Sequence, residues 1–424
     1  MDTAGAVSAG AAGAAGTEVT PDRRRWAVLA AGVVAIAVGC LYQFGLPYLI
    51  PHLRAEGMSL AQAGLLSACP SFGLMSTLVI WGAVADRWGE RLVLAAGLAA
   101  AAPCLAAAAL LAPRGSAATV PVAACLILAG AAGASVHAAS GRLILGWFAQ
   151  RRRGLAMGIR QTAQPIGVGT AALVLPVLAG HGSGTAFAVL AGACMGAVGL
   201  VVAVVRDPPR PRRAAGTASS PYRTPVLWRI HAASALLVLP QFTVAAFGLT
   251  YLVDAHGWTP VDGGRLLALA QVGGAAARLT AGWWSDRVAS RTGPLRLVSL
   301  VIAVTLAALA TATATGSASA VALLVAASIV TVSPNGLAYT AVAEYAGGSW
   351  AGRALGIQNT GQNAVAALTP PLVAILVATR GYAPAFLVAG ALPVLAAALV
   401  PHPLPRPPAS APAEPPDGAP PTAG

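Results

Sequence analysis

Lysine is absent from this chain, and residues of either charge are scarce. Charged residues make up 9% of the 424 positions. Because lysine is absent, all 26 basic residues are arginines, and 13 residues are acidic. A soluble domain carries about 25% charged residues, which excludes a soluble chain of this composition. Apolar residues make up 57% of the sequence. Apolar windows of about 18 residues, long enough to cross the hydrocarbon core of a bilayer, recur along it.

These windows predict twelve membrane-spanning helices, because backbone polar groups in lipid must be bonded within their own segment. The spans are placed at 26–50, 60–84, 92–112, 120–146, 154–179, 185–205, 228–253, 262–284, 295–315, 319–344, 354–379 and 383–400.

Cysteine is also rare, and its placement excludes several classes of protein. The five cysteines all fall inside predicted spans, so the sequence predicts neither a disulfide framework nor a metal site. No phosphate-cradling glycine loop is present, which argues against transport driven by ATP within this chain. No nucleophile–base pair or metal cluster is evident, so we expect neither a cofactor nor an enzymatic activity.

The net charge of +13 is distributed as a membrane protein distributes it. Nineteen arginines lie in the N-terminal segment, the C-terminal tail or the even-numbered loops, if Arg229 and Arg296, the second residues of the spans that follow such loops, are included. Only Arg54, Arg114 and Arg380 fall in the odd-numbered loops. This asymmetry places both termini in the cytoplasm, so the charge orients the protein and attracts anionic lipid rather than nucleic acid.

The chain repeats itself across its two halves. Three segments return in the same order at offsets between 198 and 203: residues 82–87 as 282–287, 44–49 as 247–252, and 158–164 as 356–362. Duplicated helical bundles that meet across a central cavity are typical of secondary transporters.

The composition also divides the chain into segments. We expect residues 1–25 to form a disordered cytoplasmic leader, because they lack the apolar core of a cleavable signal, and 206–225 to form a proline- and arginine-rich cytoplasmic linker. The predicted halves are then 26–205 and 226–400, and residues 401–424 are expected to form a disordered, proline-rich tail.

One motif follows the second span. It reads Gly82-x-x-x-Asp86-Arg87-x-Gly89-x-Arg91 and returns in reduced form after the eighth span. The pattern resembles the signature of the major facilitator superfamily, and the resemblance extends over residues 26–400. It implies an all-α membrane protein of twelve helices in two pseudo-symmetric six-helix halves, working by alternating access, and a monomer.

The resemblance implies a gate at the cytoplasmic face. Asp86 is expected to dock at the start of helix 11, near Arg353 and Ala354, and Asp286 by symmetry at the start of helix 5, near Gly154. A carboxylate at a helix start is favoured by the helix dipole. The alternative is that these charges only fix topology. The expected gate residues are Gly82, Asp86, Arg87, Gly89, Arg91, Gly282, Asp286, Arg287 and Glu344.

Arginines within the spans suggest an anionic substrate. Arg142, Arg160 and Arg278 lie inside predicted helices, whereas no acidic residue lies near the middle of one. Charges in the membrane are costly and usually functional, and guanidinium groups bind carboxylates through two parallel hydrogen bonds. The residues around Arg278, and the segment 147–159, resemble the monocarboxylate and oxalate/formate branches of the superfamily, although the helix-11 lysine of the oxalate/formate branch is missing here. The alternative for Arg278 is snorkelling to the surface.

Uncharged polar residues complete the predicted binding site. Amides that recur in spans 5 and 11 could face each other across the cavity or merely join helices by hydrogen bonds. His137 could couple transport to protons, or be a packing residue. The amides are Gln164, Gln358, Asn359 and Gln362; by the resemblance, the cavity is also lined by Tyr42, Gln43, Gln241, Tyr251, Asn335 and Tyr339.

The sequence therefore predicts a secondary active transporter of the plasma membrane for a small organic anion, such as a monocarboxylate, coupled to protons. The alternative is an efflux carrier for several drugs or lipophilic compounds. A branch of drug antiporters has an arginine early in helix 4 and a glycine-rich run in helix 5, and this chain has no such arginine and only a fragment of the run. A receptor or scaffold without transport activity is a third hypothesis, which the repeated gate motif disfavours.

Overall fold

The computed structural model of the protein describes residues 22–112, 119–148, 156, 158–207 and 220–401. The side chains of residues 22–23, 86, 141–146 and 348–349 are not part of this description. Within these ranges the chain is helical, with short turns between the helices.

Twelve long helices follow one another in the described part of the chain. Eleven of them are long and apolar enough to cross a membrane. The other, α8, has 28 residues but carries charges at both ends and Arg278 inside it. The helices are α1 Asp22–Gln43, α2 Leu60–Trp88, α3 Glu90–Leu111, α4 Thr119–Trp147, α5 Gly158–Ala179, α6 Ser183–Val204, α7 Val226–His256, α8 Pro260–Arg287, α9 Thr292–Ala314, α10 Ser319–Gly347, α11 Trp350–Arg380 and α12 Tyr382–Leu399.

The first span differs from its expected form. The α1 helix ends at Gln43 rather than near residue 50, and two short helices, Leu46–Leu49 and Ile50–Ala55, follow it. Each of the short helices carries a proline in its first turn. Proline lacks the N–H that would continue the preceding helix, so the chain restarts at each one.

The twelve helices form two bundles of six that meet along two lines of contact. Within the first half, α2 packs on α4 and α3 packs on α4 and α6; within the second, α9 packs on α12 and α7 on α11. The largest contacts between the halves join α2 to α11 and α5 to α8. Because the helices alternate in direction, the start of α1, the end of α12 and the α6–α7 connection share one face of the bundle. We name it the terminal face and the opposite one the distal face.

The α2 and α4 helices touch backbone to backbone. A Cβ atom built on Gly73 would come within 1.8 Å of the Ile127 carbonyl oxygen, and one built on Gly130 within 1.9 Å of the Pro70 carbonyl oxygen. Small residues permit this close approach, which brings van der Waals contact where lipid removes the hydrophobic driving force between helices.

At the distal face, the helices of the two halves are in close contact. Gly64 of α2 faces α11, where a Cβ atom would lie 2.7 Å from Cβ of Ala374. Gly264 of α8 faces α5, where a Cβ atom would lie 2.2 Å from the carbonyl oxygen of Ala172. Nothing larger than glycine fits either position, so the distal face is closed.

At the terminal face, the same four helices diverge. A Cβ atom built on Gly82, Gly158, Gly282 or Gly356 would have no atom of another segment within 4 Å. These four glycines lie toward the terminal ends of α2, α5, α8 and α11, respectively. For the described residues, the conformation is therefore closed on the distal face and open on the terminal face.

The glycine contact between α2 and α4 predicts a stability difference. We expect Gly130→Ala to destabilise the purified protein by about 1–3 kcal/mol, because the added methyl group must push two backbones apart. Thermal unfolding in detergent measures this change.

Gly196→Ala is the matched control. Gly196 is an exposed helical residue of α6, and a Cβ atom there meets nothing within 4 Å. It should leave stability unchanged or raise it by up to about 1 kcal/mol, because alanine is the better helix former. Equal unfolding temperatures for the two variants would contradict the close contact.

Candidate functional site

The intramembrane arginines of α5 and α8 share a neighbour. Arg160 donates from Nη1 to the side-chain oxygen of Gln161 at 3.4 Å, and Arg278 donates from Nη1 to the backbone oxygen of Gln161 at 3.3 Å. Arg160 belongs to the first half and Arg278 to the second. The fold therefore brings both guanidinium groups together where the halves meet, nine residues from the end of α8 and two residues after the described start of α5.

An interruption of α5 frees the backbone of Gln161. The chain makes a turn at Thr162, and regular helix resumes at Ala163. In an unbroken helix the carbonyl of Gln161 would accept a bond from the residue four positions later, but that residue is Pro165, which has no N–H. The carbonyl is thus available to a side chain from the other half.

A second interruption, in α10, supplies another carbonyl. A turn over residues 331–333 precedes Pro334, and Arg278 donates from Nε to the carbonyl oxygen of Val332 in this turn at 3.0 Å. Non-helical backbone is tolerated at membrane depth only where it faces protein or a cavity. Arg278 therefore bonds to helix breaks in both halves.

Each guanidinium is bound more tightly at one end than at the other. Arg160 donates from Nε to Ser140 Oγ at 3.0 Å, but its Nη2 reaches the carbonyl oxygen of His137 only at 3.5 Å. Arg278 shows the same pattern, with Nη2 at 3.3 Å from Gln164 Oε1. N–H···O bonds are usually 2.7–3.2 Å long, so the terminal nitrogens retain unused capacity.

Within the described part of the chain, the partners of these two guanidinium groups are neutral oxygens. The acidic residues of this part lie in loops or within about two turns of a helix end, away from the pair. Two positive charges inside the membrane without a carboxylate partner are energetically costly. An anion bound between the halves would remove much of that cost.

A phenol and several amides form the side of the site contributed by the second half. Tyr339 lies close enough to interact electrostatically with both guanidinium groups and donates from Oη to Asn359 Oδ1 at 2.9 Å. Asn335 donates to Gln241 Oε1 at 3.0 Å, which links α10 to α7. These residues provide further hydrogen-bonding groups beside the arginines.

A cavity lies on the distal side of Arg278. Phe44 and Phe242, from opposite halves, pack edge to face across it with ring centroids 5.5 Å apart. Its wall combines apolar rings with a few polar groups, as in small-molecule sites. The lining residues are Phe44, Tyr48, Gln164, Pro165, Val168, Gln241, Phe242, Val244, Ala245, Leu267, Gln271, Arg278, Ser328, Thr331 and Val332.

His137 belongs to the same polar cluster. Its Nε2 lies 2.7 Å from Gln43 Oε1, and its backbone oxygen is the one that Arg160 approaches. Tyr42, in contrast, is fully buried and donates to the carbonyl oxygen of Ala129, so it joins α1 to α4.

Three other predicted residues lie away from the cluster. Gln358 and Gln362 are buried and both donate to Ser234 Oγ, at 3.2 and 2.6 Å, between α7 and α11. Tyr251 lies near the distal face, with its hydroxyl 2.9 Å from Thr313 Oγ1. The side chain of Arg142 lies outside the described residues.

On the terminal face, Arg291 pairs with two acidic residues of its own half. Arg291 joins Asp286 to Glu344, with Nη2 2.9 Å from Glu344 Oε1. The hydrogen bonds that Arg291 donates to Glu344 raise the pKa of Arg291 above its usual value, burial acts against them, and the bond to Asp286 adds to the increase. Arg287 lies over the ring of Trp283, 4.0 Å from its centroid.

In the first half, the motif after α2 is joined to the end of α6. Asp207 accepts a bond from the backbone N–H of Arg91 at 2.7 Å, and Arg91 Nη2 donates to the carbonyl oxygen of Val202 at 2.6 Å. Gly89 has φ +95°, and a Cβ atom there would lie 2.4 Å from Asp207. Only glycine meets both conditions, and the carboxylate is favoured at the start of α3 by the helix dipole.

The docking expected for the gate aspartates stays a prediction. The side chain of Asp86 and the whole of Gly154 lie outside the described residues. Asp286 is bonded to Arg291 in this conformation, while the terminal ends of the four helices are apart.

Sequence analysis missed one ion pair between the halves and two polar residues of the cluster. Arg54 donates to both carboxylate oxygens of Asp254 at 2.6 Å. The two residues stand 200 positions apart, within the range of offsets of the repeat, and this could have indicated the pair. Ser140 and Gln161 carried no comparable signal.

Comparison with known proteins agrees with this architecture. A duplicated bundle of twelve helices, with a polar site between its halves, defines a secondary transporter. The Major Facilitator Superfamily profile matches residues 28–368. The chain belongs to this superfamily, so it is a multi-pass membrane transporter and not an enzyme, and the fold expected from the sequence is confirmed.

Two sequence relatives come from Mycobacterium tuberculosis. An uncharacterized MFS-type transporter of strain H37Rv is 43% identical over 383 residues, covering 89% of this chain and 85% of the relative. The probable nitrate/nitrite transporter NarK2 is 27% identical over 254 residues, covering 58% of this chain and 62% of the relative.

Solved structures share the fold at low identity. A bacterial homolog of the human lysosomal transporter Spinster, inward-facing and occupied, has a TM-score of 0.73 at 16% identity and covers 90% of this chain and 97% of that one. A D-xylose–proton symporter has a TM-score of 0.69 at 16% identity with the same coverage of both chains.

The contact of Gly89 with Asp207 predicts the effect of a single methyl group. We expect Gly89→Ala to lower the free energy of unfolding by about 1–3 kcal/mol beyond the cost of its positive φ, because the carboxylate must leave the start of α3. Thermal unfolding of the purified variant measures it.

Gly57→Ala separates the two causes. Gly57 has φ +98°, but a Cβ atom there meets nothing within 4 Å. Its substitution should cost only the backbone strain, about 1 kcal/mol. If both variants unfold at the same temperature, the Asp207 contact contributes nothing.

Proposed function

We propose that this protein transports a small organic anion, such as a monocarboxylate, by alternating access and in a proton-coupled manner. The observation that carries the proposal is the central pair of guanidinium groups. Arg160 and Arg278 come from opposite halves, are each anchored at 3.0 Å through Nε, and have neutral partners.

The chemistry of the pair favours a carboxylate. The terminal nitrogens of both arginines make bonds of 3.3–3.5 Å, which a bound anion could replace with shorter, charge-assisted ones. Arginine presents a planar fork that matches two carboxylate oxygens. The relative NarK2 is a probable transporter of nitrate and nitrite, which are also small anions with several oxygens, and this supports the substrate class.

The position of the pair suits alternating access. A site made by both halves changes its exposure when the halves rock against each other. The arginine distribution favours a cytoplasmic terminal face in the plasma membrane. By this assignment the described conformation opens the site to the cytoplasm.

The proposed proton coupling does not require an acidic residue inside the membrane. With no acidic residue near the middle of a helix, the proton can travel on the substrate, whose carboxyl group titrates near pH 4–5, roughly as Asp and Glu side chains do. His137, bonded to Gln43 beside Arg160, is the protein group placed to exchange a proton with it.

Ligand-dependent thermal stability tests the substrate class. Formate, lactate and oxalate should each be compared with the lipophilic cation tetraphenylphosphonium. At 100 times its dissociation constant a ligand stabilises the folded state by about 2.7 kcal/mol. We expect a carboxylate to do so in the wild type and to lose the effect in Arg278→Ala and in Arg160→Ala.

Arg265→Ala is the matched control on the same helix. Arg265 is exposed near the distal end of α8 and pairs with Asp262, so its loss should leave the stabilisation unchanged. Stabilisation by the cation alone, or by carboxylates equally in all variants, would contradict the anion site and favour efflux of lipophilic compounds.

Proteoliposomes test the coupling. With the carboxylate that stabilises the protein supplied outside, an acidic exterior should accelerate its uptake several-fold over equal pH, because the proton gradient then drives the anion inward. A protonophore should abolish the acceleration. Uptake that ignores both conditions would retain the anion site and reject proton coupling.

A further inference from the structure

An ion pair joins the two halves at the distal face. Arg54, at the end of the short helix after α1, donates to both oxygens of Asp254 at 2.6 Å. Tyr382 of α12 donates to the same carboxylate at 2.7 Å. Both charged side chains are about one-third exposed, at 36% and 29%.

The repeat gives this pair a particular position. Arg54 and Asp254 each lie three residues before a glycine of positive φ, Gly57 and Gly257, so in the connections after α1 and α7 the halves correspond at an offset of 200. Two positions that correspond in this way and contact each other across a twofold relation must lie beside its axis. An identical residue in both halves would then meet its own copy, and two arginines or two aspartates would repel each other.

Contacts away from the axis behave differently. Gly64 and Gly264 are also 200 residues apart, and their partners Pro370 and Ala172 are 198 apart. The same close contact is therefore made twice, once between α2 and α11 and once between α8 and α5, and glycine is kept in both halves. At the axis the two halves carry different residues, Arg54 and Asp254, and their opposite charges attract each other.

The helix ends explain why Asp254 depends on its partners. Asp254 lies in the last turn of α7, where unpaired carbonyl groups disfavour a carboxylate. Arg54 lies in the last turn of its own short helix, where a positive charge is favoured. Tyr382, from the same half as Asp254, holds the carboxylate so that Arg54 can approach it.

We propose that Arg54 and Asp254 form an on-axis latch that holds the distal face closed and must separate in each transport cycle. Tyr382 is its positioning residue. The latch acts on the equilibrium between the two conformations and is independent of which substrate the central site binds.

Distances between spin labels on opposite halves test the proposal without a substrate. Thr185 at the start of α6 and Ser319 at the start of α10 are exposed on the distal face. Both would be changed to cysteine after replacement of the five native cysteines by alanine or serine, and the labelled protein would be measured in lipid nanodiscs.

Neutralising either partner should open the distal face. We expect Arg54→Gln and Asp254→Asn each to raise the population at long label distances about fivefold, the effect of a favourable exposed ion pair. The charge-swapped double variant R54D/D254R should restore the wild-type distribution. Tyr382→Phe should shift it in the same direction as the neutralised variants, but less.

Asp262→Asn is the matched control, since its pair with Arg265 lies on the same face within one helix. It should leave the distances unchanged. One contradicting result is that both neutralised variants keep the wild-type label distances. The other is that R54D/D254R keeps long label distances although it unfolds at the wild-type temperature. Either result overturns the proposal.

Salt provides a second measurement on the unsubstituted pair. Raising NaCl from 0.1 to 1 M shortens the Debye length from about 10 to 3 Å and weakens partly exposed ion pairs. The labelled protein with native Arg54 and Asp254 should shift toward long distances. If a neutralised variant fails to fold, an unchanged distribution in 1 M NaCl overturns the proposal by itself.

Discussion

The bonds of Arg278 to two interrupted helices are the interaction on which the centre of this transporter depends. A carbonyl group without a partner cannot be left in hydrocarbon, so the turns in α5 and α10 require a donor. Arg278 gives one donor to each, at 3.3 and 3.0 Å, and thereby joins the two halves. In the described part of the chain the guanidinium has only neutral partners, so the contact that satisfies the backbone leaves the positive charge uncompensated.

The two halves carry the same residue where the repeat makes a contact twice. They carry different residues where a contact is made only once. Gly64 and Gly264 keep the same residue because each packs against the other half at its own place. In the central region Arg160 corresponds to Gln358 by the repeat, and each bonds to a serine hydroxyl of its own half. Only one of the two is charged. An asymmetric set of groups between symmetric scaffolds fits an asymmetric substrate.

The charges of the two faces are used differently in this conformation. On the distal face the Arg54–Asp254 pair joins the halves, where the helices are packed closely enough to demand glycine. On the terminal face Arg291 gathers Asp286 and Glu344 within one half, where the helices diverge. The motif residues are thus bonded within their own half in both cases. In the first half Asp207 contacts Gly89 and accepts a hydrogen bond from Arg91, and in the second half Asp286 is bonded to Arg291.

The sequence by itself determined the class of protein, the number of helices, the duplication and the charged residues of the centre. Hydrophobic length and the scarcity of charge decide these properties locally, because lipid accepts little else. Only the tertiary structure decided which polar residues meet. Gln358 and Gln362 share a helix with Asn359 but face Ser234 within their own half, whereas Asn359 bonds to Tyr339 beside the arginines. Helical periodicity shows which residues share a face but not what that face contacts. The contact is set by how the helices pack across the bundle.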